Sequence, residues 1–221
     1  MNPEMSIRLM SVIEMIPPRA KRVIDVGSDH GKLAVWCLLN NKAPKAVCTD
    51  IHKDPAQRTK RALADHMLSE RSEVYCTDGL KGVELHKGDV VVMAGLGGNN
   101  IIDIMKATFE LTNDDVLHEV TFVLQAQKSI ERLRKYLAST GLEIEDEEVC
   151  IDRDIFYQML RCSYSGRPYT LSLREIYYGP KLLAKARQGE EIVKAFHKHL
   201  DDIYKIRARG DREIRQMLQS E

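Results

Sequence analysis

The sequence lacks long apolar runs, and none of its segments approaches the ~20 residues needed to span a bilayer. Residues 1–20 contain neither the apolar core nor the cleavage site of a signal peptide. The five cysteines occur singly, without a CxxC pair, which is typical of free thiols in a reducing compartment. Metal-ligand spacing is also missing, because His197 and His199 are two residues apart and would point to different faces of a helix. These absences predict a cytoplasmic protein with no membrane segment and no metal site.

Net charge is absent as well, since 33 Lys and Arg residues balance 33 Asp and Glu residues. The balance is uneven along the chain, because residues 165–221 carry 12 basic and 8 acidic side chains. A basic excess of this kind indicates a polyanionic partner such as RNA. A solvent-exposed helical face has the same composition, so charge alone leaves both interpretations open.

Strand-like and helix-like segments alternate over most of the chain. The strand-like segments lie at 22–26, 46–49, 73–76, 89–93 and 120–124, and two last ones at 143–150 and 156–164. Helical segments lie at 5–16, 30–40, 54–68, 99–109 and 129–139. This order predicts an α/β fold, a doubly wound sheet closed at one edge by an antiparallel pair.

The pattern changes after the breaker Gly166-Arg167-Pro168. Apolar residues then recur near helical spacing, in a seam interrupted at Gly189 and Gly210. The seam comprises Leu182, Ala186, Val193, Phe196, Leu200, Ile203, Ile214 and Met217. We therefore expect a helical hairpin or small bundle and predict two domains, at 1–165 and 166–221.

The first strand runs directly into a tight turn, Gly27-Ser28-Asp29-His30-Gly31. Gly27 lets the backbone approach a ligand, and the following helix supplies free N–H groups. Asp29 stands where a dinucleotide-binding fingerprint has glycine, and its carboxylate would repel a pyrophosphate. S-adenosylmethionine is cationic and has no phosphate, so Asp25 and Asp29 favour it over NAD or FAD.

Acidic residues and glycines also follow the next three strands. Asp50 ends the second strand, where a carboxylate accepts hydrogen bonds from both ribose hydroxyls of a nucleotide. Asp78-Gly79 follows the third strand and is placed to meet an adenine edge. The fourth strand leads into Ala94-Gly95-Leu96-Gly97-Gly98, at the sheet edge where folds of this type bind ligands. A flexible turn is the alternative interpretation of these glycines.

Four motifs together resemble one family. GSDHG after the first strand, AGLGG after the fourth, LQAQ after the fifth and YYGPKLL in the tail are similar to those of the bacterial tRNA (adenine-22-N1)-methyltransferases, the TrmK family. The resemblance extends from about residue 5 to about residue 205. It implies a class I Rossmann-like methyltransferase sheet with a C-terminal helical, coiled-coil-like domain. It also implies S-adenosylmethionine as cofactor, and N1 of an adenine in the D-arm of tRNA as the methyl acceptor.

The resemblance implies roles for individual residues. The cofactor-binding residues would be Asp25, Gly27, Ser28, His30, Asp50, Asp78, Gly79 and Ala94. The catalytic residues would be Asp29, Gly95, Leu96, Gly97 and Gln125. Two departures stand out: Leu96 replaces the usual methionine with similar size, and Gln125-Ala126-Gln127 replaces the family's QPN, which loosens that loop.

The implied chemistry depends mainly on orientation and proximity, because N1 of adenine is itself the nucleophile. The target base must be unpaired or flipped out, since its Watson–Crick edge has to be free. Asp29 either stabilises the cationic product or accepts a proton, or it caps the following helix. His30 either shapes the base pocket or is structural, and Tyr177 and Tyr178 pack in the tail or stack on RNA.

Two functions of other classes stay open at this point. One is a methyltransferase that acts on a small molecule, and the other is a non-catalytic RNA-binding module of the same fold. The oligomeric state is open too.

Overall fold

The strands of the described residues, 3–219, form one seven-stranded mixed sheet in this computed structural model. In chain order they are β1 (Arg22–Val26), β2 (Lys45–Asp50), β3 (Ser72–Cys76), β4 (Asp89–Leu96), β5 (Thr121–Ala126), β6 (Leu142–Asp152) and β7 (Ile155–Tyr164). Across the sheet the order is β3-β2-β1-β4-β5-β7-β6. Strands β1 to β5 are parallel, and β7 runs antiparallel to both β5 and β6. The predicted doubly wound sheet with an antiparallel edge pair is confirmed.

Helices cover both faces of this sheet. They are α1 (Ile7–Glu14), α2 (Lys32–Leu39), α3 (Lys53–Asp65), α4 (Gly98–Phe109), α5 (Asp114–Leu117) and α6 (Ile130–Ser139), followed by α7 (Leu173–Tyr178), α8 (Pro180–Gln188), α9 (Glu191–Arg207) and α10 (Arg212–Gln219). The central strands are buried from both sides, as Val23, Ile24, Val91 and Val92 are at most 1% exposed. Because β1 pairs in parallel with β2 and β4, the carboxyl ends of these three strands lie at the same edge of the sheet.

Two boundaries near that edge differ from the predictions. Helix α2 begins at Lys32 instead of residue 30, because Asp29 and Gly31 have positive φ angles of 21° and 65° that a right-handed helix does not accommodate. Strand β4 continues to Leu96 instead of ending at residue 93. Residues 94–98 thus form the end of β4 and the start of α4, and not an open loop.

The tail helices α7–α10 bury apolar side chains in a cluster that also includes Val149 of β6 and, at its edge, Phe156 of β7. Most of the predicted seam is buried there, but the prediction for Ile203 is wrong, since it is 36% exposed. Tyr204 is buried instead, and its hydroxyl donates to the carbonyl of Tyr177 at 3.0 Å. Tyr177 and Tyr178 are buried in the same cluster, which favours packing over stacking on RNA.

A buried ion pair joins the tail to the sheet. Nε of Arg134 in α6 lies 2.8 Å from Oε1 of Glu147 in β6, and both side chains are fully buried. Glu147 Oε2 accepts the N–H of Lys181 in α8 at 2.9 Å, and Arg134 Nη1 donates to the carbonyl of Ile176 at 3.0 Å. Buried charges need complete partnering, so this network fixes where the tail starts. The division into two domains stays a prediction, and its outermost residues, 1–2 and 220–221, lie outside the described residues.

Candidate active site

A cavity of about 960 Å³ lies at the carboxyl edge of the sheet. The predicted site residues that line it are Gly27, Asp50, Asp78, Gly79 and Leu96. They come from the ends of β1, β2, β3 and β4, so the fold brings together positions that are widely separated in sequence. This is the edge where open α/β sheets bind their ligands.

The turn after β1 is tied to β2 through its backbone. The N–H groups of Gly27 and Ser28 both donate to the carbonyl of Thr49, at 2.8 and 3.0 Å. Gly27 has a φ of 77°, and a Cβ there would lie 3.4 Å from Leu96 Cδ2, so the bare backbone and Leu96 form adjoining parts of the cavity wall. The Ser28 hydroxyl lies 3.2 Å from that of Thr59 in α3, which gives its side chain a structural contact.

Asp50 lines the cavity and has one carboxylate oxygen without a hydrogen bond among the described residues. Its Oδ1 accepts the N–H of His52 at 2.9 Å, whereas Oδ2 accepts no hydrogen bond within residues 3–219. The neighbouring Thr49 hydroxyl is buried and likewise has no partner among the described residues. Buried polar atoms are normally satisfied, so this pair offers hydrogen-bonding groups to a ligand.

Asp25 is a buried carboxyl group two residues before Gly27 on β1. Burial, and to a smaller extent the nearby charge of Asp50, together raise its pKa from 3.8 to about 7. Among the described residues it forms no ion pair. A cationic ligand group beside Asp25 would lower this pKa and restore the ionised form.

Asp29 and His30 lie outside the cavity lining. Asp29 pairs with Arg58 of α3 at 2.7 Å and lies 3.4 Å from His30, and the Asp29 side chain is 61% exposed. The alternative that Asp29 caps α2 is wrong, because Gly31 occupies the N-cap position and no side chain caps it. At this exposure a carboxylate stabilises a nearby charge only weakly.

Gln125 lies beside the end of β4. It is fully buried, and its Oε1 accepts the N–H of Gly95 at 3.0 Å and Nη1 of Arg8 at 2.8 Å. Ala94 pairs with Gln125 across the two strands, and Gly97 is the N-cap of α4. Ala94, Gly95, Gly97 and Gln125 therefore form a second group of predicted site residues, at the end of β4.

Sequence reasoning missed several residues around the site. Asn100, Asp103 and Ile104 of α4 line the cavity. Their helical spacing after Gly97 could have predicted that they share the face of α4 next to the glycines. Arg8 was not singled out as a site residue, because nothing in the spacing shows that α1 packs beside the end of β5.

Within the described part of the chain, no group of three or more His, Cys, Asp or Glu side chains is arranged to hold a metal ion. No helix in residues 3–219 combines the length and apolarity of a membrane-crossing segment.

Comparisons with known proteins agree with this geometry. A family model described as "Methyltransferase domain" matches residues 5–160. The tRNA (adenine(22)-N(1))-methyltransferase of Bacillus subtilis strain 168 is 29% identical over 157 residues, which is 71% of this chain and 64% of that protein. The match therefore spans less than two thirds of the relative's own length. The resemblance to the TrmK family stated from the sequence is confirmed by this relative.

Solved structures show the same fold over nearly the whole chain. The B. subtilis tRNA methyltransferase TrmK has a TM-score of 0.78 and 24% identity, covering 98% of this chain and 95% of that one. A proposed tRNA (m1A22) methyltransferase from Streptococcus pneumoniae, in complex with S-adenosyl-L-methionine, has a TM-score of 0.82 and 22% identity. That match covers 98% of this chain and 97% of the other. At these identities the likeness concerns the fold, including the helical C-terminal part.

Proposed function

Because the chain belongs to the methyltransferase domain family, we propose that it transfers the methyl group of S-adenosylmethionine to N1 of adenine 22 in the D-arm of tRNA. The observation that carries the proposal is the cavity at the sheet edge, which Gly27, Asp50 and Leu96 at the end of β4 line together. The activity in the name of the B. subtilis relative supports the acceptor. From a tRNA substrate we infer a cytoplasmic reaction.

The residues of the cavity fit S-adenosylmethionine better than a phosphorylated cofactor. Asp50, Asp78 and Asp103 line it, and these carboxylates would repel a pyrophosphate. Asp50 Oδ2 is free to accept a hydrogen bond from a ribose hydroxyl. Asp25 is not part of the cavity lining, but it lies two residues before Gly27 on β1, and we propose that its buried, unpaired carboxyl interacts with the ammonium group of the cofactor's methionine part.

Bound S-adenosylmethionine supplies a methyl group on a positively charged sulfur. The protein has to orient the adenine and keep water out, because N1 carries a lone pair at neutral pH and needs no general base. Leu96 and the bare backbone of Gly27 supply an apolar, narrow wall. Gly95 and Gly97 let the base approach the chain at the end of β4. The exposed position of Asp29 makes it a minor contributor to stabilising the cationic product.

The basic tail is proposed to contact tRNA phosphates, which position a substrate without reading its sequence. Six side chains were candidates: Arg187, Lys194, Lys198, Lys205, Arg207 and Arg209. Three of them have carboxylate neighbours within 3.0 to 3.8 Å, namely Lys194, Lys205 and Arg207. The other three are exposed, and within the described residues they form no ion pair. We call Arg187, Lys198 and Arg209 the unpaired tail cations.

The test is methyl transfer to bulk tRNA that lacks modifications, with cofactor binding measured by calorimetry. We expect binding of S-adenosylmethionine and transfer of its label to tRNA, and weaker binding and slower transfer in Asp50→Ala. Cofactor binding without labelling of any tRNA would point to a small-molecule substrate. No cofactor binding by the folded protein would leave a non-catalytic RNA-binding module.

A further inference from the structure

Gly95 is the extra residue of a β-bulge at the end of β4. The pairing of β4 with β5 shifts between Ala94 and Leu96, and Gly95 has a φ of 81°, a left-handed conformation that favours glycine. Its N–H donates to the side-chain oxygen of Gln125 at 3.0 Å. The backbone conformation at this strand end therefore depends on one side chain.

The same oxygen accepts a second, charged hydrogen bond from a peripheral helix. Arg8 Nη1 in α1 donates to Gln125 Oε1 at 2.8 Å. The guanidinium lies over the ring of Tyr157, 5.5 Å from its centroid. The backbone N–H of Arg8 donates to Asp152 Oδ2 at 3.2 Å, so the β6–β7 pair holds the start of α1 in place. Charge-assisted bonds are the stronger kind, and this one secures the amide.

The two donors also set the orientation of the Gln125 amide. If the amide were flipped, its NH₂ group would face the N–H of Gly95 and the guanidinium of Arg8, both of which are donors. The observed orientation leaves Nε2 buried and without a partner among residues 3–219. A buried unpaired donor is costly. The two hydrogen bonds that Oε1 accepts, from Gly95 and Arg8, offset that cost.

We propose, on the premise of the function above, that Arg8 is a positioning residue for methyl transfer. It acts through Gln125 and holds the Gly95 bulge in the conformation in which the acceptor base is received. Arg8 touches neither of the cofactor-side residues Asp25 and Asp50. Its loss should therefore affect the transfer step and leave cofactor affinity intact.

The experiment compares Arg8→Met, which keeps the length of the side chain, with Arg19→Met as a matched control. Arg19 is exposed and also close to α1, so both variants lose one charge. In the protein without substrate, hydrogen exchange of the Gly95 amide reports the bulge. The Gly98 amide, bonded to the carbonyl of Lys128 at 2.9 Å, is the internal reference.

We expect Arg8→Met to accelerate Gly95 exchange and to lower the single-turnover rate, each by about tenfold or more, with the KM for tRNA and the Kd for cofactor within about twofold. Arg8→Lys, which keeps a positively charged donor group, should recover part of the rate. Arg8→Met and Gln125→Leu should be non-additive, because they interrupt one pathway. Arg19→Met should match the wild type in every measurement.

A different result would overturn the proposal. A raised KM with an unchanged rate, and a salt slope lower by about one phosphate contact, would make Arg8 a direct RNA contact. Faster Gly95 exchange with a normal rate would make the network purely structural. A wild-type protein inactive on tRNA would refute the proposed function instead, while Gly95 exchange would still decide whether Arg8 holds the bulge.

Discussion

Replacing Asp25 by asparagine should stabilise the folded protein more at pH 8 than at pH 5. Burial and the charge of Asp50 raise the pKa of Asp25 from 3.8 to about 7 in the folded state. A raised carboxyl pKa means that the fold favours the protonated group. The stability that depends on this proton is fully present below about pH 4 and is lost as the pH rises through 7.

The size of the effect follows from the shift. One pKa unit corresponds to about 1.4 kcal/mol, so the wild type should lose about 2–3 kcal/mol between pH 5 and pH 8 through this group alone. The amide of the Asp25→Asn variant does not titrate and would avoid that loss. Besides Asp50, the thiols of Cys37 and Cys48 are neighbouring titratable groups, and burial raises their pKa values, that of Cys37 to about 12. They therefore stay neutral across this window.

The assay is urea unfolding of both proteins at the two pH values, with equal denaturant slopes as the check on two-state behaviour. Asp103→Asn, at an exposed carboxylate that lines the cavity, is the matched control and should show no such pH dependence. An Asp25→Asn effect of the same size at pH 5 and pH 8 would refute the reasoning. Asp25→Asn should also weaken cofactor binding at pH 8, because the ammonium group would lose its carboxylate.

Four further predictions follow from the geometry. Asp50→Ala should weaken S-adenosylmethionine binding by about 1–3 kcal/mol in calorimetry, and unchanged affinity would reject its role. Gly97→Val should fold, because the nearest atom to a new Cβ is Cε of the flexible Lys128 side chain at 3.3 Å. Its turnover should nevertheless collapse. Normal turnover would mean that Gly97 serves only as a turn residue. Glu147→Gln should lower the free energy of unfolding by about 3–5 kcal/mol, since it removes the charged partner of the buried Arg134. A loss under about 1 kcal/mol, which is typical of an exposed ion pair, would contradict this. Charge reversal at the unpaired tail cations should flatten the dependence of tRNA affinity on salt, and an unchanged slope would remove the tail from RNA binding.

The sheet was predictable because strand and helix periodicity is local. Each strand that the alternation predicted is present, and the last two predicted strands form the antiparallel edge pair. The boundary errors arise where the backbone leaves ordinary φ values, at Asp29 and at Gly95. The sequence shows a glycine at position 95, but no local pattern predicts that it forms a β-bulge.

The candidate site was predictable where residues follow strand ends, because parallel strands bring those ends to one edge. Asp50, Asp78 and Gly79 meet at the cavity for this reason. The link from Arg8 to Gln125 joins residues 117 positions apart, and it depends on how α1 packs against β5, which no local pattern encodes. The same limit explains why Asp29 appeared central in the motif but is exposed beside Arg58 in the fold.

The most direct test of the central claim is the position of the methyl group on a defined tRNA. A transcript with adenine 22 and one with guanine 22 would be incubated with labelled S-adenosylmethionine and then copied by reverse transcriptase. N1 methylation blocks Watson–Crick pairing, so we expect label and a strong stop next to position 22 only in the adenine transcript. Equal labelling of both transcripts, or label without a stop at position 22, would contradict the account.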